Sequence, residues 1–174
     1  MSWNPPADLS YAAKQMVLAA HFDEFPRGVA VETGLYNGRG SCYQFLGRAR
    51  VVCLDVSLEQ CEMARQAGCE ALAGDSRVTL PRLLRALDEP AFFWLDAHAV
   101  VEAEEENDSP LYQELEAILA WRHAPRSVLL VDDVRMMGRV GWPSIADVGW
   151  LVRERAPFWR ATVQADILRL LPLL

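Results

Sequence analysis

The stretch Gly28-Val29-Ala30-Val31-Glu32-Thr33-Gly34-Leu35-Tyr36-Asn37-Gly38-Arg39-Gly40-Ser41 decides how this chain folds. Residues 28–33 form a short β-branched run that stops at a glycine, the pattern of a buried strand entering a turn. Glycine then recurs at 34, 38 and 40. It lets a backbone approach a ligand closely and take positive φ. Residues 41–46 read as a helix whose first N–H groups would face that turn. The spacing matches neither the dinucleotide fingerprint G-x-G-x-x-G nor a phosphate loop ending in GK[ST]. Glu32, just ahead of Gly34, would repel a pyrophosphate and suits a cationic ligand better. An ordinary tight strand-to-helix turn is the plain alternative.

On either side of this stretch the chain alternates helix and strand. Residues 8–22 carry Leu9, Ala12, Ala13, Met16, Val17 and Ala20 at helical spacing, and Pro26-Arg27-Gly28 breaks the chain after them. Residues 50–55 (RVVCLD), 91–96 (AFFWLD) and 127–132 (SVLLVD) repeat the buried-strand pattern, and 70–73 is a weaker strand. Helices are expected over 58–67, capped by Ser57 and stopped by Gly68, and over 76–87, 111–121 and 145–154. Pro81 is a local problem for the second of these. Residues 159–171 read as a strand pair, or as one strand with a frayed end. Strands separated by helices predict an α/β, doubly wound, mostly parallel sheet covered on both faces. With no repeat or linker, residues 1–174 are expected to form one domain, 1–26 being an N-terminal helical segment.

The 174 residues are 52% apolar and 24% charged, enough for a sizeable core and too ordinary for a disordered chain. Seventeen Lys and Arg face 24 Asp and Glu, a net charge of -7. That balance repels phosphate backbones, so nucleic acid is not expected as a general partner, although the widely spread Arg residues leave a local basic groove open. Cys42, Cys53, Cys61 and Cys69 have no zinc spacing and lie in apolar or helical runs. The first residues lack a leader-like apolar core, and no run approaches membrane-span length. The expectation is a reduced, cytoplasmic protein with no membrane partner. A homo-oligomer stays open.

In doubly wound sheets ligands bind beyond the carboxyl ends of the strands, and acids stand there repeatedly. Glu32 ends the first strand, Asp55 the second, Asp75 follows the third, Asp96 ends the fourth, and Asp132 and Asp133 end the fifth. Asp55 could accept hydrogen bonds from two ribose hydroxyls or cap the helix after it. Asp75-Ser76 could meet an adenine edge or cap a helix. His98 is the histidine nearest these ends and could take a proton from an acceptor hydroxyl or amine.

The Glu32–Gly38 loop with Asp55 and Asp75 resembles the first three motifs of class I S-adenosylmethionine-dependent methyltransferases. Phe93-Trp94-Leu95-Asp96-Ala97-His98, Glu114–Ile118, Leu130-Val131-Asp132-Asp133-Val134-Arg135 and Pro143-Ser144-Ile145 are similar to a bacterial group of small methyltransferase-like proteins. The resemblance implies a Rossmann-like sheet of seven strands in the order 3-2-1-4-5-7-6, the seventh antiparallel. It implies S-adenosylmethionine as cofactor. Glu32 and Gly34 would hold its methionine end, Asp55 its ribose, and Asp75 with Ser76 its adenine. Tyr36, Asn37, Gly38 and Ser41 of the loop, with Asp96, complete the implied cofactor set. Tyr36 stands where the family has a second glycine, so it packs over the cofactor or narrows its site. The implied reaction is methyl transfer to a hydroxyl or amine of a small molecule. The alternative is a binding module that keeps the fold without the chemistry.

The acids of the fourth and fifth strands are similar to those of catechol-type O-methyltransferases, in which an Asp and an Asp-Asn pair bind magnesium. By that likeness Asp96, Asp132 and Asp133 would hold Mg or Mn, with Asp133 where the family has an amide. Three close carboxylates need a cation or a proton between them. A metal site, a base or substrate contact formed by His98, Asp96 and Asp133, and a scaffold role with Asp132 paired to Arg135 all remain open. Trp3, Tyr36, Trp142 and Trp150 could line an acceptor pocket. The run Glu102–Asp108 is expected to be a solvated loop beside the site mouth.

Overall fold

The apolar runs become the strands of one sheet in a computed structural model that describes residues 11–98 and 109–173. Trp3 and the acidic run 102–108 lie outside the described residues. In chain order the elements are α1 (Tyr11–Glu24), β1 (Val29–Thr33), β2 (Arg50–Asp55), α2 (Leu58–Gln66), β3 (Glu70–Ala73), α3 (Ser76–Ala86), β4 (Ala91–Leu95), α4 (Leu111–Leu119), β5 (Val128–Val131), α5 (Ile145–Arg155), β6 (Trp159–Gln164) and β7 (Ile167–Pro172). The strand order is β3-β2-β1-β4-β5-β7-β6. The first five strands run parallel, while β7 lies antiparallel to both β5 and β6.

Side chains alternate across a strand, so each strand serves two cores. Val31, Leu54, Phe93, Leu95, Leu129 and Val131 face α3, α4 and α5. Ala30, Val51, Cys53, Phe92, Trp94 and Leu130 face α1 and α2. The four cysteines are free and buried, acting as small apolar groups. In the register, Glu32 lies between Cys53 and Trp94, and Thr33 between Leu54 and Leu95. The carboxyl ends of β1, β2 and β4 are therefore nearly flush, and the polar residues after them open onto one rim.

Two local expectations change. Residues Ser41–Phe45 form a 3-10 helix. Gly40 and Gly47, the latter at φ +82°, bracket too few residues for two α-turns. In α1 the apolar residues read at helical spacing do not all face inward: Val17 packs on the core and Ala13 is half-buried, but Ala12, Met16 and Ala20 are exposed, and Leu9 lies outside the described residues. Met16 is 74% exposed, while Leu18, His21 and Phe22 are buried. Phe22 stacks on Phe45 with ring centroids 4.0 Å apart, and Phe92 meets both edge-on. Of the two readings of 159–171 the strand pair holds: it is a full hairpin, joined by Ala165 and Asp166, both at positive φ. Pro81 is accommodated inside α3, where buried Leu80, Leu83 and Leu84 hold the helix to the sheet. Among the described residues no helix is long and apolar enough to cross a membrane.

Candidate active site

The turn after β1 is built around a buried carboxylate. Glu32, 2% exposed, accepts the N–H of Ser41 at 2.6 Å on Oε1 and that of Cys42 at 2.9 Å on Oε2. Gly40 permits this approach, since a Cβ there would lie 2.5 Å from Glu32 Oε2. Burial pushes the Glu32 carboxyl up to about 8, against the pull of its two N–H donors. Gly34 has φ +84°, and a Cβ on it would meet the backbone oxygen of Asp96 at 2.5 Å. It thus serves the β1–β4 closure as well as the turn. Tyr36 and Arg39 exchange backbone hydrogen bonds across Asn37 and Gly38, both at positive φ as a type I′ turn requires. Asn37 is exposed, and the Gly38 N–H is given to Gln60. Neither lines the cavity described next.

That cavity, about 740 Å³, is bordered by Glu32, Gly34, Tyr36, Arg39, Ser41, Asp55, Asp96, His98, Asp133 and Arg135. A second hollow of about 270 Å³ shares Gly34, Asp55 and His98 with it and adds Val56, Asp75, Ser76 and Arg77. Asp55 stands between the two. Its Oδ2 accepts the N–H of Leu35 and its Oδ1 that of Ser57, each at 2.7 Å. An ionised carboxylate has about four acceptor positions, so each oxygen keeps capacity for a hydroxyl. That donor demand fits a ribose diol. Asp75 is the N-cap of α3, and both its oxygens face the Arg77 guanidinium. That pairing with Arg77 holds its carboxyl below the usual range.

The other wall comes from β4 and β5. The His98 Nε2 lies 3.5 Å from Asp133 Oδ2 and 3.9 Å from Asp96 Oδ1, with the ring 5.7 Å from buried Trp142. Asp133 takes a left-handed backbone at φ 58°, which Asp tolerates better than most residues. Lys14, absent from the sequence reading, reaches in from α1. Its Nζ is 2.6 Å from Asp132 Oδ1 and 2.7 Å from Asp133 Oδ1, with its side chain only 12% exposed. Arg135 adds a contact of 2.6 Å to Asp133 Oδ1 and is itself anchored to Asp166, which is fully buried in the β6–β7 turn. The scaffold pairing is thus Arg135 with Asp133 and Asp166, while Asp132 pairs with Lys14.

These neighbours split the acids. Burial, then the charges of Asp132 and Asp133, push Asp96 well above the usual carboxylate range. Burial and Asp133 raise Asp132 to about 6 against Lys14. Burial also acts on Asp133, but Lys14, Arg135 and His98 together bring it below the ordinary value. Burial pulls the Lys14 ammonium down, and the two aspartates more than restore it.

The donor set does not fit a divalent ion on Asp96, Asp132 and Asp133. Among the described residues, ligand atoms converge within 4.8 Å in Asp96–His98–Asp133 and in Asp132–Asp133–Asp166. Both groups depend on Asp133, whose charge Lys14 and Arg135 already share. A divalent ion on Asp133 would have to share that carboxylate with Lys14 and Arg135 or displace them. Of the aromatic residues considered for an acceptor pocket, Tyr36 lines the main cavity and Trp142 packs on His98. Trp150 borders a separate groove with Tyr112 and Pro143.

Lys14, Arg39 and Asp166 were not read from the sequence, and Arg135 was read only as a partner for Asp132. For Lys14 a signal existed: it precedes Leu18 and Phe22 at i, i+4, i+8 spacing, so it shares their face. Nothing local marks Asp166.

No protein-family model and no curated protein matches the sequence. Solved structures do match the fold. An O-methyltransferase from Bacillus cereus in complex with SAH is 18% identical with TM-score 0.58, covering 97% of this chain and 84% of that one. The N-methyltransferase NodS from Bradyrhizobium japonicum WM9 is 12% identical with TM-score 0.54, covering 94% and 96%. A TehB-like SAM-dependent methyltransferase from Corynebacterium glutamicum is 15% identical with TM-score 0.53, covering 94% and 96%. With the strand order and the antiparallel seventh strand, this likeness establishes that the chain has the Rossmann-like fold of class I S-adenosylmethionine-dependent methyltransferases.

Proposed function

We propose that the protein transfers a methyl group from S-adenosylmethionine to a hydroxyl or amine of a small molecule. The observation that carries this reading is the single cavity bordered on one side by Gly34 and Asp55 and on the other by His98, Asp96 and Asp133. A place for the cofactor and a proton acceptor therefore share one space. When bound, the cofactor supplies an electrophilic sulfonium methyl.

This chain's residues then divide the work. Asp55 accepts the ribose hydroxyls. Gly34 and Ser41 border the methionine end, above the turn that Glu32 ties together. The hollow at Asp75 and Ser76 receives the adenine. On the opposite wall, His98 turns its Nε2–H to Asp133 Oδ2 and takes the acceptor's proton on its other ring nitrogen, while Asp133 holds the ring and steadies its charge. Asp96, biased toward its protonated form, donates a hydrogen bond beside it. Positioning and deprotonation are the protein's main contributions to such a transfer.

Isothermal titration with the demethylated product, SAH, tests the cofactor half. Absence of binding at millimolar ligand sinks the reading. Incubation with methyl-labelled cofactor and a panel of small phenols, acids and amines tests the transfer. Tyr36 favours a second reading, a binding module without chemistry, because its exposed ring borders the cavity where the resemblance expects glycine. SAH binding with no labelled product from any acceptor class would select it.

A further inference from the structure

We propose that Lys14 is the built-in cation of this site. Its ammonium takes the place that the catechol-type likeness reserves for a divalent ion, and it positions Asp133 toward His98. This rests on the methyltransferase reading above. The geometry is specific. One Nζ bridges Oδ1 of Asp132 and Oδ1 of Asp133, at 2.6 and 2.7 Å. With Oδ1 of Asp133 held by Lys14 and Arg135, it is Oδ2 that faces His98 Nε2 at 3.5 Å. The neighbouring hollow, about 290 Å³, is bordered by Lys14 together with Asp96, His98, Asp132, Asp133 and Arg135, so the ammonium sits at the site itself.

The placement is anchored. Leu18 and Phe22 follow Lys14 on the same helix face. Both are buried, and Phe22 packs between Phe45 and Phe92. A lysine carried on a buried stripe must end on a counter-charge, and the two aspartates at the end of β5 supply it. Lys14 is a positioning residue here: it acts on the reaction through Asp133. The consequence is a site whose fixed charge comes from the N-terminal helix, with no need of metal.

The test is Mn²⁺ binding, followed by loss of the free-ion electron paramagnetic resonance signal, with SAH titration on the same samples. Wild type should leave the Mn²⁺ signal unchanged at millimolar protein and ion. Lys14→Met, which keeps the apolar stem, should bind one Mn²⁺ per chain at least about tenfold more tightly than wild type. Adding Asp133→Asn to it should abolish that binding. Lys14→Arg should behave as wild type, because the charge is kept. Mn²⁺ binding by wild type that Asp133→Asn removes would overturn the proposal. So would a folded Lys14→Met variant that gains no affinity. If that variant does not fold, the wild-type and Lys14→Arg measurements still decide. Wild type failing to bind SAH would instead refute the methyltransferase reading and leave the metal result interpretable.

Discussion

Replacing Glu32 by Gln sets two opposed effects against each other. The carboxylate accepts two backbone N–H groups, from Ser41 and Cys42. Glutamine keeps one acceptor and turns an NH₂ toward the other donor, which costs about 1–2 kcal/mol. Against this stands the burial that pushes the carboxyl up to about 8 from 4.5. A folded-state value raised above the unfolded one means that the folded protein binds the proton more tightly. Stability from this group is fully present below about pH 4.5 and is lost as pH rises toward 8. The loss is about 1.4 kcal/mol per pH unit, close to 5 kcal/mol in all. Glutamine does not titrate. At pH 5 the variant should therefore be less stable than wild type by about 1 kcal/mol, and the order should reverse by pH 7. Urea unfolding of both proteins at pH 5, 6, 7 and 8 in one buffer series measures the difference. Asp132 and Glu114, raised in the same direction, cancel in that comparison, whereas Asp96 is raised in part by the Glu32 charge and so adds to the wild-type loss as pH rises. A difference independent of pH would refute the argument. So would a wild-type advantage that grows with pH, which would mean that the two N–H donors outweigh burial.

Gly34→Ala should destabilise by about 3 kcal/mol, combining a strained positive φ with overpacking against Asp96, and thermal unfolding would report it. Retention of the wild-type melting temperature would show that β4 yields easily there. Asp55→Ala should weaken SAH binding at least about tenfold in calorimetry, since each hydroxyl bond to a charged acceptor contributes about 1.5–3 kcal/mol. A folded variant that binds SAH as wild type does would remove Asp55 from the ribose role.

The sheet was legible because its strands are buried on both faces, so GVAVET, RVVCLD, AFFWLD and SVLLVD stand out as unbroken apolar runs ending in acids. Helix faces were harder. In α1 a count of apolar residues favours Ala12, Met16 and Ala20, which are small or adaptable, over a stripe containing Lys14 and His21. The large rings decide otherwise. Phe22 fills the space between Phe45 and Phe92, and its docking sets the rotation of the whole helix. The segment 41–46 was read as a helix and is a 3-10 helix, because the stretch between Gly40 and Gly47 is too short for two α-turns.

The acids themselves were legible at the strand ends, but their partners were not. Asp132 and Asp133 meet a lysine from α1, and Arg135 is held by an aspartate in the β6–β7 turn. Only the completed sheet brings those charges to one end. Their placement matters more than their number. Cations gathered on Asp133 keep it ionised, while Asp96, farther from them and facing three other acids, is pushed toward its protonated form. Two like residues on adjacent strands are thereby pushed in opposite directions beside one atom, Nε2 of His98. A divalent ion on the same acids would ionise both and erase that difference. The site's division between acid and base is therefore set by α1 and the β6–β7 turn, elements that carry none of the recognised motifs.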